Sequence, residues 1–456
     1  MLNRIKAIFR RTDFALLFGF VFFVVLASYG QLYMYHQDPS EVNLSLGIAT
    51  LLFLCGLISF VLFISGSFKR GEIPYKRINI ISIAVLITGL VSIFQAPNVF
   101  TYEESAIVLI NNFNKAIFSF DFVLIFLFIY STLFVFSKRF KNSNFIVFLS
   151  YLAFAFCLVV LLYSYITEYD KIANYFQVLF GYKEGSLTPA ASFIINSNSV
   201  GMVMLIGILM ALILHSIHPH FWHYLLATYF LINISYTHCR GSLFLGAFAI
   251  IVFIFYRIIA SFKEHKRRNI ILLIIYSSLV LLFSALLLIV LLLNGEFLPH
   301  LYHALKMITN TTTLNSRMHI YDVSFSILKN GGWVLGYGFG SFNLILTWSL
   351  GPYASYLVPA HNAFINILGN GGVIHLAAYI ALLVYSVFIS IKLFKNSQKI
   401  AFALSLSCLS YFIYTFIETI QYILYLFIFL LFVFYEISKR EEYSKEQSNE
   451  FDRVSY

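Results

Sequence analysis

The apolar residues of this chain gather into long runs separated by polar connections, which is the pattern of helices that cross a bilayer. A crossing helix needs about 20 such residues. Twelve runs qualify as candidates, at 14–35, 44–67, 78–97, 116–137, 144–167, 190–213, 221–237, 241–262, 269–293, 361–391, 400–417 and 420–437. Only YTHCRGS separates the seventh from the eighth, which predicts a tight hairpin. The predicted fold class is therefore an all-α polytopic membrane protein of about 12 transmembrane helices. Its large loop, at about 295–360, lies between helices 9 and 10. A stretch this long without a spanning pattern of its own is more than a connection and is more often functional. The polar end, residues 439–456, is expected to be a disordered tail behind a transmembrane domain of residues 1–438.

Composition agrees: 60% of the residues are hydrophobic, 11% are charged and the mean hydropathy is +0.84. No soluble domain buries that much apolar surface. A net charge of +10 would fit a nucleic-acid binder, but its placement gives it another meaning. With the N-terminus inside, only Lys115, Lys171, Lys183, Arg240, Lys306, Arg317 and Lys329 fall outside, out of 30 Lys and Arg. That asymmetry is the positive-inside rule, so the charge reports topology and no nucleic-acid partner is expected. Both termini are then cytoplasmic, and the 295–360 loop faces the far side. The basic start followed by a long apolar run reads as an uncleaved first helix. The connections at 98–115 and 168–189 are rich in Tyr and Phe and suit a position flat on the interface. Four scattered cysteines (Cys55, Cys157, Cys239, Cys408) indicate neither a disulfide frame nor a zinc site.

Chemistry is sparse on the outer side, which makes each polar residue there informative. Arg240 sits in THCRGSLFLGAF at the mouth of the hairpin, where it either snorkels or lines a wet cavity. Arg317 follows the Thr/Asn-rich TNTTTLNS, which predicts a helix beginning near Ser316. His319, Tyr321 and Asp322 follow it closely, so Arg317 has either Asp322 or backbone as a plain structural partner, or a ligand. A guanidinium fork matches phosphate oxygens better than an ammonium does. Two outer arginines flanking one cavity would suit a diphosphate. His361, directly before Asn362 at the start of the tenth run, is either structural or a general base near neutral pH. The spacing of His300, His303 and His319 matches no standard zinc pattern, and no metal or cofactor is expected. GGWVLGYGFGSF lacks the lysine and serine of a phosphate loop and reads as a tight turn against the membrane surface. Asn196 and Asn198, within an apolar span, either glue helices together or line the cavity. Glu418, at the outer end of the eleventh run, completes the candidates. Acid pairs at DxD-like spacing are missing from the outer face, which disfavours a nucleotide-sugar donor held by metal. A lipid-linked diphosphate, neutralised by arginines, fits better.

Taken together, CRGSLFLGAF, SRMHIYDVSFSIL…LGYGFGSF, HNAFINILGNGGVIHL and the NSNSVG span resemble the O-antigen ligase/polymerase superfamily of bacterial membrane glycosyltransferases. The twelve-helix plan agrees, and the match is most specific over residues 190–385. The resemblance implies an enzyme of the inner membrane whose active site is periplasmic, working without metal on glycans carried by undecaprenyl diphosphate. By position, Arg240 and Arg317 would hold the diphosphate, and His361 would deprotonate or orient the acceptor hydroxyl, with inversion at the anomeric carbon. Asn362, Asn198, Tyr321 and Glu418 are the further substrate-binding candidates. Cys239 stands where the family usually has serine, which weakens a helper role there.

Members differ in the acceptor: another lipid-linked repeat unit for a polymerase, lipid A-core for a ligase, a protein hydroxyl for a third type. A ligase handles phosphate-rich core and favours a basic outer loop. Here residues 295–360 carry Lys306, Arg317 and Lys329 against Glu296 and Asp322, a balance of only +1. That favours an O-antigen or surface-polysaccharide polymerase, for which a chain-length regulator is an expected partner. The reading from another class is a lipid-linked glycan flippase or transporter. Transporters typically repeat one half in the other, and no such duplication is seen here.

Overall fold

A computed structural model describes residues 144–180, 189–190, 197–263, 312–338, 341–350, 360–396, 398–418 and 422–454, with scattered positions between 80 and 91 and at 271, 274 and 278. The regular elements among these residues are all helices: α1 Asn144–Thr167, α2 Tyr169–Leu179, α3 Ser197–Ile217, α4 Trp222–Ser235, α5 Arg240–Lys263, α6 Thr312–Lys329, α7 Ser341–Leu350, α8 Ala363–Asn396, α9 Gln398–Tyr414 and α10 Tyr422–Val454. Among the described residues, Leu149–Thr167, Ser197–Ile217, Arg240–Ala260 and Ala363–Phe394 are long and apolar enough to cross a membrane. They fall on the fifth, sixth, eighth and tenth predicted runs. Runs 14–35, 44–67 and 116–137, and most of 78–97 and 269–293, lie outside the described residues. So do Glu296, His300, His303 and Lys306.

Two predicted runs differ in extent. The seventh is α4, whose 14 residues span about 21 Å against roughly 30 Å of hydrocarbon. A break at 218–221, which contains Pro219, precedes it, and left-handed His238 (φ 56°) follows it. The eleventh is the 17-residue α9, which unwinds into a turn at 415–417. α10 runs on to Val454, into the segment predicted as the polar tail. Residues 439–454 contain no Gly or Pro and are rich in Glu, Lys, Arg and Gln, all good helix formers.

The described chain divides into two units: residues 146–314 with 402–410, the α3 unit, and residues 1–145, 315–401 and 411–456, the α8 unit. In the α3 unit, α3 is apolar on every side and buried along nearly its whole length, packed by α4 and α5. Close approach depends on small residues. A Cβ on Gly201 would lie 2.4 Å from that of Cys239, and one on Gly207 would lie 2.8 Å from the Phe230 ring. The Tyr165 hydroxyl donates to Asn233 Oδ1 (2.7 Å), whose own amide donates to Tyr229 O (2.8 Å). α1 leaves Tyr151, Leu158, Leu162 and Ile166 exposed, an apolar face suited to lipid.

In the α8 unit the main feature is a break. α8 leaves helical geometry at Gly372 (φ 68°, ψ −173°), which frees backbone groups inside an apolar helix. The glycine turn after α6 takes them up. Tyr337 N donates to Gly369 O (2.8 Å) and Gly338 N to Asn370 O (2.9 Å). Val373 N donates to Trp333 O (2.7 Å) and Ile374 N to Val334 O (3.4 Å). Irregular backbone is tolerated at such a place only when protein satisfies it. The sequence predicts a tight turn against the membrane surface, and the turn's actual partner is the broken helix. A Cβ at Gly336 would sit 2.4 Å from Asn370 C, and one at Gly372 would sit 2.2 Å from Val334 O, so neither position admits a side chain.

Candidate active site

α6 carries its buried positions on one face. Ser324, Ile327 and Leu328 are buried and Tyr321 half-buried, while Met318, His319, Asp322 and Phe325 are exposed. Arg317 is one helical step from Tyr321 on the inward side. Asp322, five residues on, lies about 140° around the helix and cannot answer it. This removes Asp322 as the partner of Arg317 and sets His319 apart from the site. The helix starts at Thr312 rather than near Ser316, so Arg317 lies inside its second turn.

Ile327, Leu328, Phe342, Leu346, Ala360, Ile365 and Leu368 form the apolar cluster under this face. It holds α6 and α7 on the first turns of α8, and Tyr337 closes it by donating to Ile327 O (2.8 Å). Directly before α8, Asn362 is the cap: its Oδ1 accepts from the amides of Phe364 (2.9 Å) and Ile365 (3.2 Å). Its amide reaches Phe416 O at 3.4 Å. Asn362, expected as a substrate contact, therefore has its side-chain oxygen committed to the helix.

His361 has a left-handed backbone (φ 49°), uncommon for a residue with a Cβ. Two bonds hold it there. The Tyr321 hydroxyl donates to His361 O (3.2 Å), and two residues further on Ala363 N donates to Thr415 O (2.7 Å). The Tyr321 phenol is pushed up mainly by burial, with Glu418 adding to the rise and Arg317 and Asn362 opposing it. It therefore stays a donor at ordinary pH.

The charged groups meet on the turn after α9. Arg317 Nη1 donates to Ile417 O (3.0 Å) and Nη2 to Glu418 Oε1 (3.1 Å). The other carboxylate oxygen, Oε2, lies 3.2 Å from His361 Nδ1. The Glu418 side chain is 12% exposed, and those of Arg317 and His361 are 23% and 25% exposed. One nearly buried carboxylate thus bridges an arginine and a histidine from two other elements. An ionised carboxylate only accepts, so Nδ1 carries the hydrogen and a neutral ring keeps its lone pair on Nε2. That is the arrangement that orients a histidine base. Arg317 retains three guanidinium hydrogens beyond the two it donates here.

Of the residues singled out in the sequence, Arg317, Tyr321, His361, Asn362 and Glu418 converge within the α8 unit. Arg240 and Asn198 belong to the α3 unit. There Arg240 opens α5, Asn198 lies in the first turn of α3, and the contact of Gly201 with Cys239 brings those two helix starts together. Cys239 is buried beside Gly201, its Sγ donating to Ser242 Oγ (3.1 Å). The adjacent His238 is pulled down by burial and then by the Arg240 charge. Sequence reasoning missed the carbonyls of Thr415, Phe416 and Ile417, which organise the site as much as any side chain. The cue for them was an acid, Glu418, ending an apolar run. No family model matches the chain, nor does any curated protein or solved structure.

Proposed function

We propose that this chain is a membrane glycosyltransferase that moves a glycan from undecaprenyl diphosphate to an acceptor hydroxyl, most simply as a surface-polysaccharide polymerase. The observation that supports this most is the convergence of Arg317, Glu418 and His361 beside Tyr321. It supplies a bidentate cation for a diphosphate and an oriented imidazole for a hydroxyl within one small volume. In the reaction the acceptor oxygen attacks the anomeric carbon as its proton passes to His361 Nε2. The bond from that carbon to the diphosphate oxygen breaks, the electron pair leaves with the lipid diphosphate, and Arg317 stabilises the charge that develops there. Direct displacement inverts the anomeric centre. About 12 transmembrane helices, cytoplasmic termini, an inner-membrane location and a periplasmic 295–360 loop complete the proposal, resting on the charge asymmetry.

Purified protein given the lipid-linked glycan tests it. Product without a gradient or nucleotide excludes a pure transporter, and full activity in both Arg317→Ala and His361→Ala removes the site. A deletion strain separates the acceptors. Core bearing one repeat unit, without long lipid-linked polymer, is the polymerase result. Bare core with polymer stranded on the lipid carrier is the ligase result.

A further inference from the structure

Glu418 presents an unusual feature for a site built to receive an anion. Its carboxylate already occupies the place between Arg317 Nη2 (3.1 Å) and His361 Nδ1 (3.2 Å). A carboxylate and a phosphate edge offer two oxygens at similar spacing to the same donors. Left in place, Glu418 would repel an arriving diphosphate within a nearly buried site, where such repulsion is weakly screened. We infer that Glu418 is an exchangeable internal anion, filling the phosphate position of the empty site and displaced when the diphosphate arrives; this rests on the diphosphate reading above.

The local structure allows the exchange. Glu418 lies in the turn beyond α9, and its place there is held by backbone, through its own amide on Tyr414 O (3.0 Å). Its side chain can turn away without breaking a helix. Arg317 stays aimed, because Nη1 remains on Ile417 O (3.0 Å); the incoming phosphate oxygen takes over His361 Nδ1–H from Glu418, so Nε2 keeps its lone pair, while Tyr321 and Asn362 continue to fix the main chain around His361. The exchange also explains why one acid is placed against the Arg317 guanidinium and the His361 Nδ1–H in a site otherwise built of neutral groups. It prevents Arg317 from being buried unpaired when no donor is bound.

The sign of one mutation separates exchange from simple positioning. Inorganic pyrophosphate is titrated calorimetrically into the detergent-purified full chain, with farnesyl diphosphate in a parallel arm and citrate as a charged control. Glu418→Gln removes the competing charge and should bind pyrophosphate roughly five-fold or more tighter than the native chain. Arg317→Ala should abolish that binding. Glu418→Asp, whose shorter side chain cannot bridge both donors, should fall between native and Gln, and it serves if Glu418→Gln does not fold. Both diphosphates should gain alike, and tighter native binding of the prenyl ester assigns the site to a lipid-borne diphosphate. Pyrophosphate binding that needs Arg317 but is equal or weaker in folded Glu418→Gln and Glu418→Asp overturns the exchange and leaves the anion site standing. Absence of binding by every folded variant, or citrate binding as well as pyrophosphate, overturns the diphosphate reading with it.

Discussion

The α6–α8 pair is fastened twice, in two different ways. At one end, four main-chain hydrogen bonds join the glycine turn to the break at Gly372. At the other, Arg317, Tyr321, His361 and Glu418 are joined largely through side chains. The first fastening is specified by the absence of side chains, the second by their chemistry. Backbone bonds at two glycines that admit no Cβ have one arrangement. Side-chain bonds to a carboxylate can be re-partnered. The anion exchange proposed above would gain from having its scaffold in the first category and its charges in the second.

The largest expected effects therefore lie at the glycine end of the pair. Gly336→Ala and Gly372→Ala each force a Cβ into backbone at 2.4 Å or less, from φ values of 74° and 68°. Each should cost about 3 kcal/mol or more through strain and overpacking, enough to lose the folded monodisperse protein on fluorescence-detected size exclusion. Normal melting of both variants would mean that the turn does not fasten α8.

At the other end the first loss should be in rate. Arg317→Ala should reduce transfer by roughly 10²–10³-fold, the scale of removing a donor to developing charge. Lysine at this position should restore only part of it, since it lacks the fork. Stability should fall too, because Glu418 is left as a nearly buried acid without its main cation. A double-mutant cycle with Glu418→Gln separates the two effects: stability should recover in the pair while transfer does not. Recovery of both would reduce Arg317 to a structural pin.

How much of this was legible in the sequence depends on the range of the signal. The apolar runs are a one-dimensional code, and α1, α3, α5 and α8 fall where that code puts them. The shared face of Arg317 and Tyr321 follows from their spacing of four. The partner of Arg317 was not readable, since Glu418 is 101 residues away and Asp322 was the nearer acid. The glycine stretch read as a tight turn against the membrane surface, and its packing on α8 was not legible because its partner, the break there, is another glycine cluster on a different element.

His361 allows strain and chemistry to be separated. Its left-handed backbone (φ 49°) costs a β-carbon residue about 1 kcal/mol, and glycine adopts it freely. His361→Gly and His361→Ala both remove the imidazole, and both should lose at least roughly 10²-fold in transfer. Glycine should nonetheless melt higher than alanine. Equal melting would mean that the main chain relaxes and that Tyr321 is not holding it.

The smallest effect tests that hold directly. Tyr321→Phe removes the hydroxyl that donates to His361 O (3.2 Å) and keeps the ring, so about 1 kcal/mol of stability is at stake. The pH dependence has a definite sign. Burial raises this phenol above its ordinary value near 10, so the protonated donor is the form the fold favours. Its contribution is complete below that ordinary value and is lost only as pH rises through the higher folded one. The melting difference between native and Tyr321→Phe should therefore be constant from pH 6 to roughly 9 and shrink only in stronger alkali. A difference that appears only on the acid side would transfer the effect from the phenol to the His361–Glu418 contact. Tyr321 would then act on the ionic end of the pair rather than on its main chain.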